Sequence, residues 1–408
     1  MKVALLNTYP HGGAGVACRR LAQALPSVGV EAHLLTRDDA GKKWPFYAER
    51  LSFLPYEKDK TVRFSFSPAN FGTDLRKNKV VQQADVIHLH WINQGFLSLK
   101  NIAQLAELGK PLVWTLHDMW AFTGGCHYSG DCRQFEHGCG SCPYVRRPGP
   151  NDLSSHIFLQ KQRYFPKKMH FVTCSGWLAG LARESALLRD YPVVDIPNPI
   201  DTAVFAPVTD AERLAYRQSL GAPPDAWLLL FVAMKISEKR KGFHLLKNAL
   251  EHLKATRPDL PLRIMVLGKG DPEALSALPY PVHPLGLVHD VKLLTQAYAA
   301  ADVFAIPSLE DNLPNTVMEA LACGVPVVGF RTGGIPEMVQ HGDQGFLAVQ
   351  GDVESFANGI LNVLEGEVPH SAYRLSARRK ATEQYAHSVV AGRYKALYEK
   401  ALNVKTAL

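Results

Sequence analysis

The feature that most constrains the fold is a regular alternation of short apolar runs with helical patterns along all 408 residues. Each run is shorter than a membrane span and leads through turn residues into apolar positions at helical spacing. This alternation is typical of βαβ units and predicts an α/β protein with parallel sheets. The predicted strands are 2–7, 32–36, 86–90, 112–116, 171–175, 193–196, 228–233, 263–267, 303–306 and 326–330.

A turn-rich segment, Ile-Pro-Asn-Pro-Ile-Asp at residues 196–201, divides this pattern into two halves. A chain of this length corresponds to two or three domains of ordinary size. We therefore expect an N-terminal domain over 1–197, a C-terminal domain over 198–386 and a final helix over 387–408. That helix could return to the N-terminal domain.

A glycine-rich turn follows the first predicted strand and contains Gly12, Gly13 and Gly15. Glycine allows a backbone to approach a ligand closely, but a tight strand-to-helix turn also needs it. The turn alone is therefore weak evidence for a binding site.

Histidines stand at the ends of two neighbouring predicted strands. His117 follows the run 112–116, where a side chain of a parallel sheet faces the ligand crevice. His88 and His90 end the preceding strand and could line an acceptor site. A structural role for these two is at least as well supported.

An acidic pair lies between the strand at 303–306 and the helix that follows it. Asp311 and Glu319 are eight residues apart, and Glu310 directly precedes the first of them. The backbone N–H groups at the start of this helix suit a diphosphate, while Glu319 could reach sugar or ribose hydroxyls. The alternative is a capped helix start with a solvated acidic face.

A basic cluster follows the first strand of the second half. Lys235 and Lys241 are six residues apart, and a glycine follows the second lysine. Cations at the ligand edge of a parallel sheet would neutralise a leaving nucleoside diphosphate. The alternative is a mobile basic loop.

Four of the seven cysteines, Cys126, Cys132, Cys139 and Cys142, fall within 17 residues. Four thiolates so close together could form one tetrahedral zinc site, which would be structural because no coordination position stays open. Disulfides between these cysteines are not expected, because they are rare in the cytoplasm. The alternative to a zinc site is a compact loop with small buried cysteines.

Together these segments resemble the GT-B glycosyltransferases, and specifically the large retaining family 4, over nearly the whole chain. The family carries a Glu-x7-Glu motif where this chain has Asp311 and Glu319. The resemblance implies a GT-B fold, in which two Rossmann-like domains face each other across a cleft. The cysteine segment resembles insertions in bacterial enzymes of exopolysaccharide and O-antigen assembly.

The resemblance also implies roles for residues in the second half. The acid at the first motif position, Asp311 or otherwise Glu310, would contact hydroxyls of the donor sugar. Glu319 would hold the ribose, and backbone amides around Asn315 and Thr316 would hold the phosphates.

Further roles come from the same resemblance. Lys235 and Lys241 match a pair that the family usually fills with arginine and lysine. His117 would lie near the transferred sugar, and the turn with Gly12, Gly13 and Gly15 near donor phosphate and acceptor. Gly334, in the segment 333–337, matches a glycine turn beside the donor sugar.

The reaction that the resemblance implies is transfer of a sugar from a UDP- or GDP-sugar to an acceptor hydroxyl with retention, in cell-surface polysaccharide assembly. No catalytic metal is expected, because cations and the helix N-terminus would neutralise the leaving group. Two alternatives stay open: a GT-B sugar-nucleotide epimerase, and a non-catalytic binding protein of the same shape.

The formal net charge is +7, and the excess of Lys and Arg lies in the first half of the chain. This excess fits two interpretations about equally well: an anionic partner, such as a phospholipid surface, and a basic surface that is merely solvated. No nucleic-acid motif accompanies the charge. Cations beside aromatics at 63–66, Phe71 and 76–79 predict contact with lipid headgroups and a polyprenyl-diphosphate-linked saccharide acceptor.

The N-terminal apolar run is too short for a signal peptide. We expect a cytoplasmic protein that could bind the inner face of the plasma membrane.

Overall fold

The computed structural model describes residues 1–406, with side chains as far as residue 403. These residues divide into two compact units. The N-terminal unit comprises residues 1–199 and the helix that begins at His387, and the C-terminal unit comprises Ile200–Ala386. No helix within the described part of the chain is long and apolar enough to cross a membrane.

The N-terminal unit is built on a six-stranded sheet in which every strand pair is parallel. Its strand order is β2-β1-β3-β4-β5-β6, so the order reverses between β1 and β3. The elements are β1 (Lys2–Leu6), α1 (Gly12–Ala24), β2 (Glu31–Leu35), α2 (Trp44–Phe53), α3 (Lys79–Gln83), β3 (Val86–Leu89), α4 (Leu99–Ala106), β4 (Leu112–Leu116), α5 (Leu153–Tyr164), β5 (Met169–Thr173), α6 (Gly176–Glu184) and β6 (Val193–Asp195).

The C-terminal unit has a second six-stranded parallel sheet, with the order β12-β11-β10-β7-β8-β9. This is the strand order of a dinucleotide-binding Rossmann sheet, and it reverses between β7 and β10. The elements are α7 (Asp210–Ser219), β7 (Trp227–Lys235), α8 (Phe243–Thr256), β8 (Leu262–Lys269), α9 (Pro272–Ser276), β9 (Val282–Gly286), α10 (Val291–Ala300), β10 (Val303–Ile306), α11 (Asn315–Ala322), β11 (Val327–Phe330), α12 (Ile335–Met338), β12 (Gly345–Ala348), α13 (Val353–Glu365) and α14 (His370–Gln384).

The predicted fold class is confirmed: each unit is a parallel sheet with helices packed on it. The apolar runs of the sequence do not predict two of the strands, β9 and β12. β9 is only partly buried and contains Pro284, while β12 begins at Gly345 and follows a turn at Gly342. Both strands lie at the edges of the C-terminal sheet, where a strand need not be apolar on both faces.

The last helix of the chain, α15 (His387–Thr406), packs on the sheet of the N-terminal unit, as expected. Val390, Ala391, Tyr394 and Tyr398 are buried in a cluster with apolar side chains of β1 and α1. A parallel sheet must be covered on both faces, and α15 packs with α1 on one face of this sheet.

Two buried polar contacts fix the position of α15. The hydroxyl of Tyr398 lies 2.8 Å from Nδ1 of His88, and Nε2 of His88 lies 2.8 Å from Oγ1 of Thr115. The same threonine hydroxyl lies 2.9 Å from the hydroxyl of Tyr394. His88 is completely buried. The contacts of His88 therefore support a structural role for this residue instead of a role in acceptor binding.

We expect Tyr398→Phe to lower the free energy of unfolding of the N-terminal unit by about 1–3 kcal/mol. The substitution keeps the ring but leaves Nδ1 of His88 buried without its partner. Urea denaturation measures the change, and Tyr56→Phe is the control because Tyr56 is 48% exposed. Equal stability of the two variants would contradict a stabilising role for the Tyr398 hydroxyl.

Candidate active site

The strand order of the C-terminal sheet reverses between β7 and β10, and the loops after these two strands touch. The backbone N–H of Leu309 donates to the carbonyl of Arg240 at 2.8 Å. Gly242 has φ +70°, and a Cβ there would lie 1.8 Å from the carbonyl oxygen of Pro307. Ligands of open α/β sheets bind at such a switch point, and here the two loops are in direct contact.

Asp311 is the centre of a charged cluster in these loops. Its Oδ2 accepts from Nζ of Lys241 at 2.6 Å and from Oγ of Ser308 at 3.3 Å. Nη1 of Arg240 is 3.7 Å from the same oxygen and donates to the carbonyl of Glu310 at 2.7 Å. The acidic and basic segments of the sequence therefore meet in one place.

The cluster keeps Asp311 ionised although its side chain is buried. Burial by itself raises the pKa of the carboxyl group, but the charges of Lys241 and Arg240 more than offset it. The pKa of Asp311 consequently lies below its ordinary value. Near neutral pH the site holds a carboxylate facing two cations.

Glu319 lies in the second turn of α11 and is almost fully buried, at 7% exposure. Its Oε2 accepts from the hydroxyl of Tyr298, in α10, at 2.8 Å. The helix begins at Asn315, with Thr316 next, and Pro314 before it supplies no side-chain cap. The loop that contains Asp311 therefore leads directly into α11, which carries Glu319.

A glycine turn packs directly on the Asp311 backbone. The N–H of Gly334 donates to the carbonyl of Asp311 at 3.1 Å. Gly333 has φ +55°, and a Cβ at this position would lie 1.7 Å from the same carbonyl oxygen. Only glycine satisfies both the backbone conformation and the close approach.

The arrangement of cations differs from the predicted pair. Lys235 is exposed at the end of β7, whereas Arg240 and Lys241 contact the acidic loop. A one-turn 3₁₀ helix, Lys239–Lys241, turns both side chains towards the Asp311 loop. The spacing in the sequence therefore missed Arg240, and the adjacent Arg-Lys pair before Gly242 was the available signal.

In the N-terminal unit the glycine turn lies where β1 leads into α1, beside the reversal of strand order. Gly12 has φ +74°, and a Cβ added at Gly12 or Gly13 would meet nothing within 4 Å. A Cβ on Gly15 would instead lie 2.4 Å from the carbonyl oxygen of Tyr9. Gly15 is required by packing, while the first two glycines leave open space.

His117 follows β4 and is joined to side chains that follow the adjacent strands. Its Nε2 lies 2.9 Å from Nδ1 of His90, and its Nδ1 lies 3.5 Å from Sγ of Cys174. Burial lowers the pKa of His117 to about 4, although the neighbouring Asp118 carboxylate acts in the opposite direction. The imidazole is therefore neutral at physiological pH and acts through hydrogen bonds.

The prediction missed a second polar relay beside His117. Oδ2 of Asp118 lies 2.7 Å from Nδ1 of His127, and Nε2 of His127 lies 3.0 Å from Oγ of Ser67. The indole N–H of Trp91 donates to the same carboxylate oxygen at 2.9 Å. Asp118 directly follows His117 in the sequence, but no spacing rule relates it to His127 or Ser67.

The four clustered cysteines, Cys126, Cys132, Cys139 and Cys142, line one small cavity in the N-terminal unit. They are free thiols. Within the described residues, no three His, Cys, Asp or Glu side chains have the arrangement of a metal site. The zinc site stays a prediction.

The prediction that residues 63–66, Phe71 and 76–79 form a surface for lipid headgroups is partly wrong. Phe66 is 2% exposed and stacks on Phe53 in a small core. Arg63 pairs with Glu57 at 2.9 Å, but Glu57 also pairs with Arg50, so the charge of Arg63 is only partly compensated. Another cation of this surface, Arg76, pairs with Asp74 and Glu107.

Comparison with known proteins decides the family. The model for Glycosyltransferase Family 4 matches residues 11–204, and the model for Glycosyl transferases group 1 matches residues 227–366. The N-acetyl-alpha-D-glucosaminyl L-malate synthase of Bacillus anthracis is 33% identical, over 96% of this chain and 95% of the relative. This chain belongs to glycosyltransferase family 4. It is a glycosyltransferase with a GT-B fold.

Two further comparisons agree with this family. The D-inositol 3-phosphate glycosyltransferase of Jonesia denitrificans is 30% identical, over 97% of this chain and 92% of the relative. The crystal structure of Anabaena HepE in complex with UDP and glucose matches with a TM-score of 0.63 and 18% identity. That match covers 98% of this glycosyltransferase and all of the HepE chain, and it supports the fold.

We expect Gly333→Ala to lower sugar transfer about 100-fold, because the added Cβ displaces the Asp311 loop by the order of an ångström. Gly342→Ala is the matched control: Gly342 also has positive φ, +83°, but has open space around it. The left-handed backbone should cost each variant about 1–2 kcal/mol of stability, and the clash adds a further loss in Gly333→Ala. Release of nucleoside diphosphate measures activity, and equal activity of the two variants would contradict the steric argument.

Proposed function

We propose that this enzyme transfers a sugar from a UDP- or GDP-sugar to a hydroxyl group of a saccharide acceptor, with retention of the anomeric configuration. The main observation behind this proposal is the cluster of Asp311 and Lys241 at the switch point of the C-terminal sheet, with Glu319 in the adjoining helix. The bound UDP and glucose named for HepE support a uridine nucleotide as the first donor to test.

The donor would be held by three groups of the C-terminal unit. Asp311 and the turn at Gly334 would bind hydroxyls of the transferred sugar, with Glu310 as the alternative acid. The N-terminal amides of α11, at Asn315 and Thr316, would bind the diphosphate, because helix N-termini carry partial positive charge. Glu319 would bind the ribose hydroxyls.

The negative charge that develops on the leaving diphosphate needs cations. Lys241, which contacts the Asp311 loop, would take this role, and exposed Lys235 would reach the phosphates from the end of β7. Arg240, on the same loop, holds the carbonyl of Glu310 and so positions the acidic segment. These cations would provide charge neutralisation without requiring a catalytic metal.

Retention would follow from front-face attack. The bond from the anomeric carbon to the diphosphate oxygen breaks, the bond to the acceptor oxygen forms on the same face, and the acceptor proton passes to the diphosphate. Asp311 is poorly suited to act as a nucleophile because its carboxylate oxygen is engaged by Lys241 and Ser308. Membership of family 4 supports this transfer over the alternatives of an epimerase or a non-catalytic binding protein.

The N-terminal unit would serve the sugar and the acceptor. His117 is neutral, so it would donate or accept a hydrogen bond at the transferred sugar instead of binding phosphate as a cation. The open space at Gly12 and Gly13 allows close approach of the donor phosphates or the acceptor to the backbone.

We further propose that the acceptor is a polyprenyl-diphosphate-linked saccharide at an anionic membrane surface, on the cytoplasmic side. Helix α2 exposes Trp44, Tyr47 and Leu51, which are 58%, 62% and 65% exposed and lie on one face at helical spacing. Exposed lysines precede and follow this helix at Lys42, Lys43, Lys58 and Lys60. Apolar side chains flanked by cations are suited to bind the headgroup layer of a membrane. Binding to a membrane surface would in turn support a role in cell-surface polysaccharide assembly.

For the donor, we expect Glu319→Gln to weaken binding of the UDP- or GDP-sugar about 10–100-fold. A hydrogen bond to a charged group contributes about 1.5–3 kcal/mol, and each 1.4 kcal/mol is tenfold in affinity. Isothermal titration measures the change, with exposed Glu354→Gln as control. Wild-type affinity in Glu319→Gln would refute this role, and NMR of the product anomer tests retention.

For the acceptor, we expect the enzyme to co-sediment with vesicles that contain phosphatidylglycerol, and to dissociate as salt rises. The triple variant Trp44→Ser, Tyr47→Ser, Leu51→Ser should remain in the supernatant, because each apolar side chain buried contributes about 1.5–3 kcal/mol. Leu375→Ser is the control, since Leu375 is 71% exposed on α14. Equal recovery of the wild type in the supernatant with and without anionic vesicles would refute the membrane proposal.

A further inference from the structure

The cysteine segment forms a distinct part of the N-terminal unit that sugar transfer does not explain. The thiols of Cys126, Cys132, Cys139 and Cys142 line a single cavity of about 20 Å³. This volume accommodates about one sphere the size of a water molecule. Four thiols around one cavity match the ligand number of a tetrahedral zinc site.

The backbone of the second cysteine pair is bent in an unusual way. Gly138, Cys139, Gly140 and Ser141 have four successive positive φ angles, of 143°, 58°, 126° and 48°. Positive φ is costly at Cys139 and Ser141, which are not glycines, and such strain concentrates at functional sites. This bend brings Cys139 and Cys142 to the same cavity.

Backbone donors are directed at the sulfur atoms. The N–H of Gly124 donates to Sγ of Cys139 at 3.1 Å, and the N–H of Tyr144 bonds to the thiol of Cys142. N–H donors to sulfur favour the thiolate form, as in the surroundings of metal-bound cysteine.

A buried cation lies next to the cysteines. Lys161 is completely buried, and its ammonium group donates to the carbonyl groups of Trp120 and Thr123. Thr123 also lines the cavity of the four cysteines, so the ammonium group lies beside that cavity. A buried ammonium group is stabilised by nearby negative charge, which cysteine thiolates at this cavity would supply.

We propose that Cys126, Cys132, Cys139 and Cys142 bind one structural zinc ion as thiolates, and that Lys161 neutralises part of the resulting charge. Binding releases four protons to solvent and gives a centre of net charge −2, which the Lys161 ammonium reduces. The sulfurs surround the cavity but do not have ligand geometry, so binding requires them to move towards its centre. The ion would hold the loop from which His127 contacts Asp118.

The test measures metal in the full-length protein and does not depend on transferase activity. We expect about one zinc per chain by mass spectrometry of the purified protein, with four sulfur ligands at about 2.3 Å by X-ray absorption. Cys139→Ser should lose the metal. Cys18→Ser and Cys323→Ser, at buried cysteines elsewhere, should keep it.

Two further measurements keep the proposal falsifiable if Cys139→Ser fails to fold. Replacing zinc by cobalt in the wild type should give the absorption bands of a tetrahedral cobalt thiolate. Lys161→Met should keep the stoichiometry and weaken zinc about 10–100-fold in competition with a chelator, as substitutions beside metal ligands do. Absence of zinc, zinc retained in folded Cys139→Ser, or a non-reduced mass that reveals disulfides would overturn the proposal.

Discussion

A parallel sheet places the carboxyl ends of all its strands on one edge, and both sheets of this glycosyltransferase are parallel throughout. Residues that are far apart in sequence therefore meet just beyond the strands. Lys241 and Asp311 are 70 residues apart and follow β7 and β10, while His90 and His117 are 27 residues apart and follow β3 and β4. The same architecture requires helices on both faces of each sheet, which explains why α15 returns to the N-terminal unit.

The charged cluster of the C-terminal unit depends on this arrangement. Asp311 is buried, and a buried carboxylate remains ionised only where cations compensate for its lost hydration. Lys241 and Arg240 provide this compensation from the neighbouring loop. Their contacts also fix the loop itself, so the groups proposed to bind the donor are held before any donor arrives.

The N-terminal unit uses different chemistry at the corresponding edge. His88 is buried and His117 is partly buried among polar side chains, and burial lowers the pKa of His88 to about 3 and that of His117 to about 4. They are thus hydrogen-bonding groups instead of charges. The excess of basic residues in this half lies elsewhere, partly in ion pairs such as Arg63 with Glu57 and partly around the exposed face of α2.

The sequence by itself determined the fold class, the family and the segments that carry the candidate site. Apolar runs with helical spacing between them encode parallel βαβ units, because fully buried strands must be apolar on both faces. The acids at Asp311 and Glu319 were recognisable because their spacing before and within a helix resembles the Glu-x7-Glu motif of family 4, whereas the local pattern alone also fits a capped helix start.

Only the tertiary structure decided which side chains meet. It placed Arg240 instead of Lys235 beside the acidic loop, joined Asp118 to His127, and buried Phe66, which the sequence had suggested for a lipid surface. Local patterns specify the period and ends of an element, but they do not specify the rotation of a loop or the partner of a buried polar group. Those are set by packing between elements distant in sequence, where a side chain's environment is a property of the whole unit.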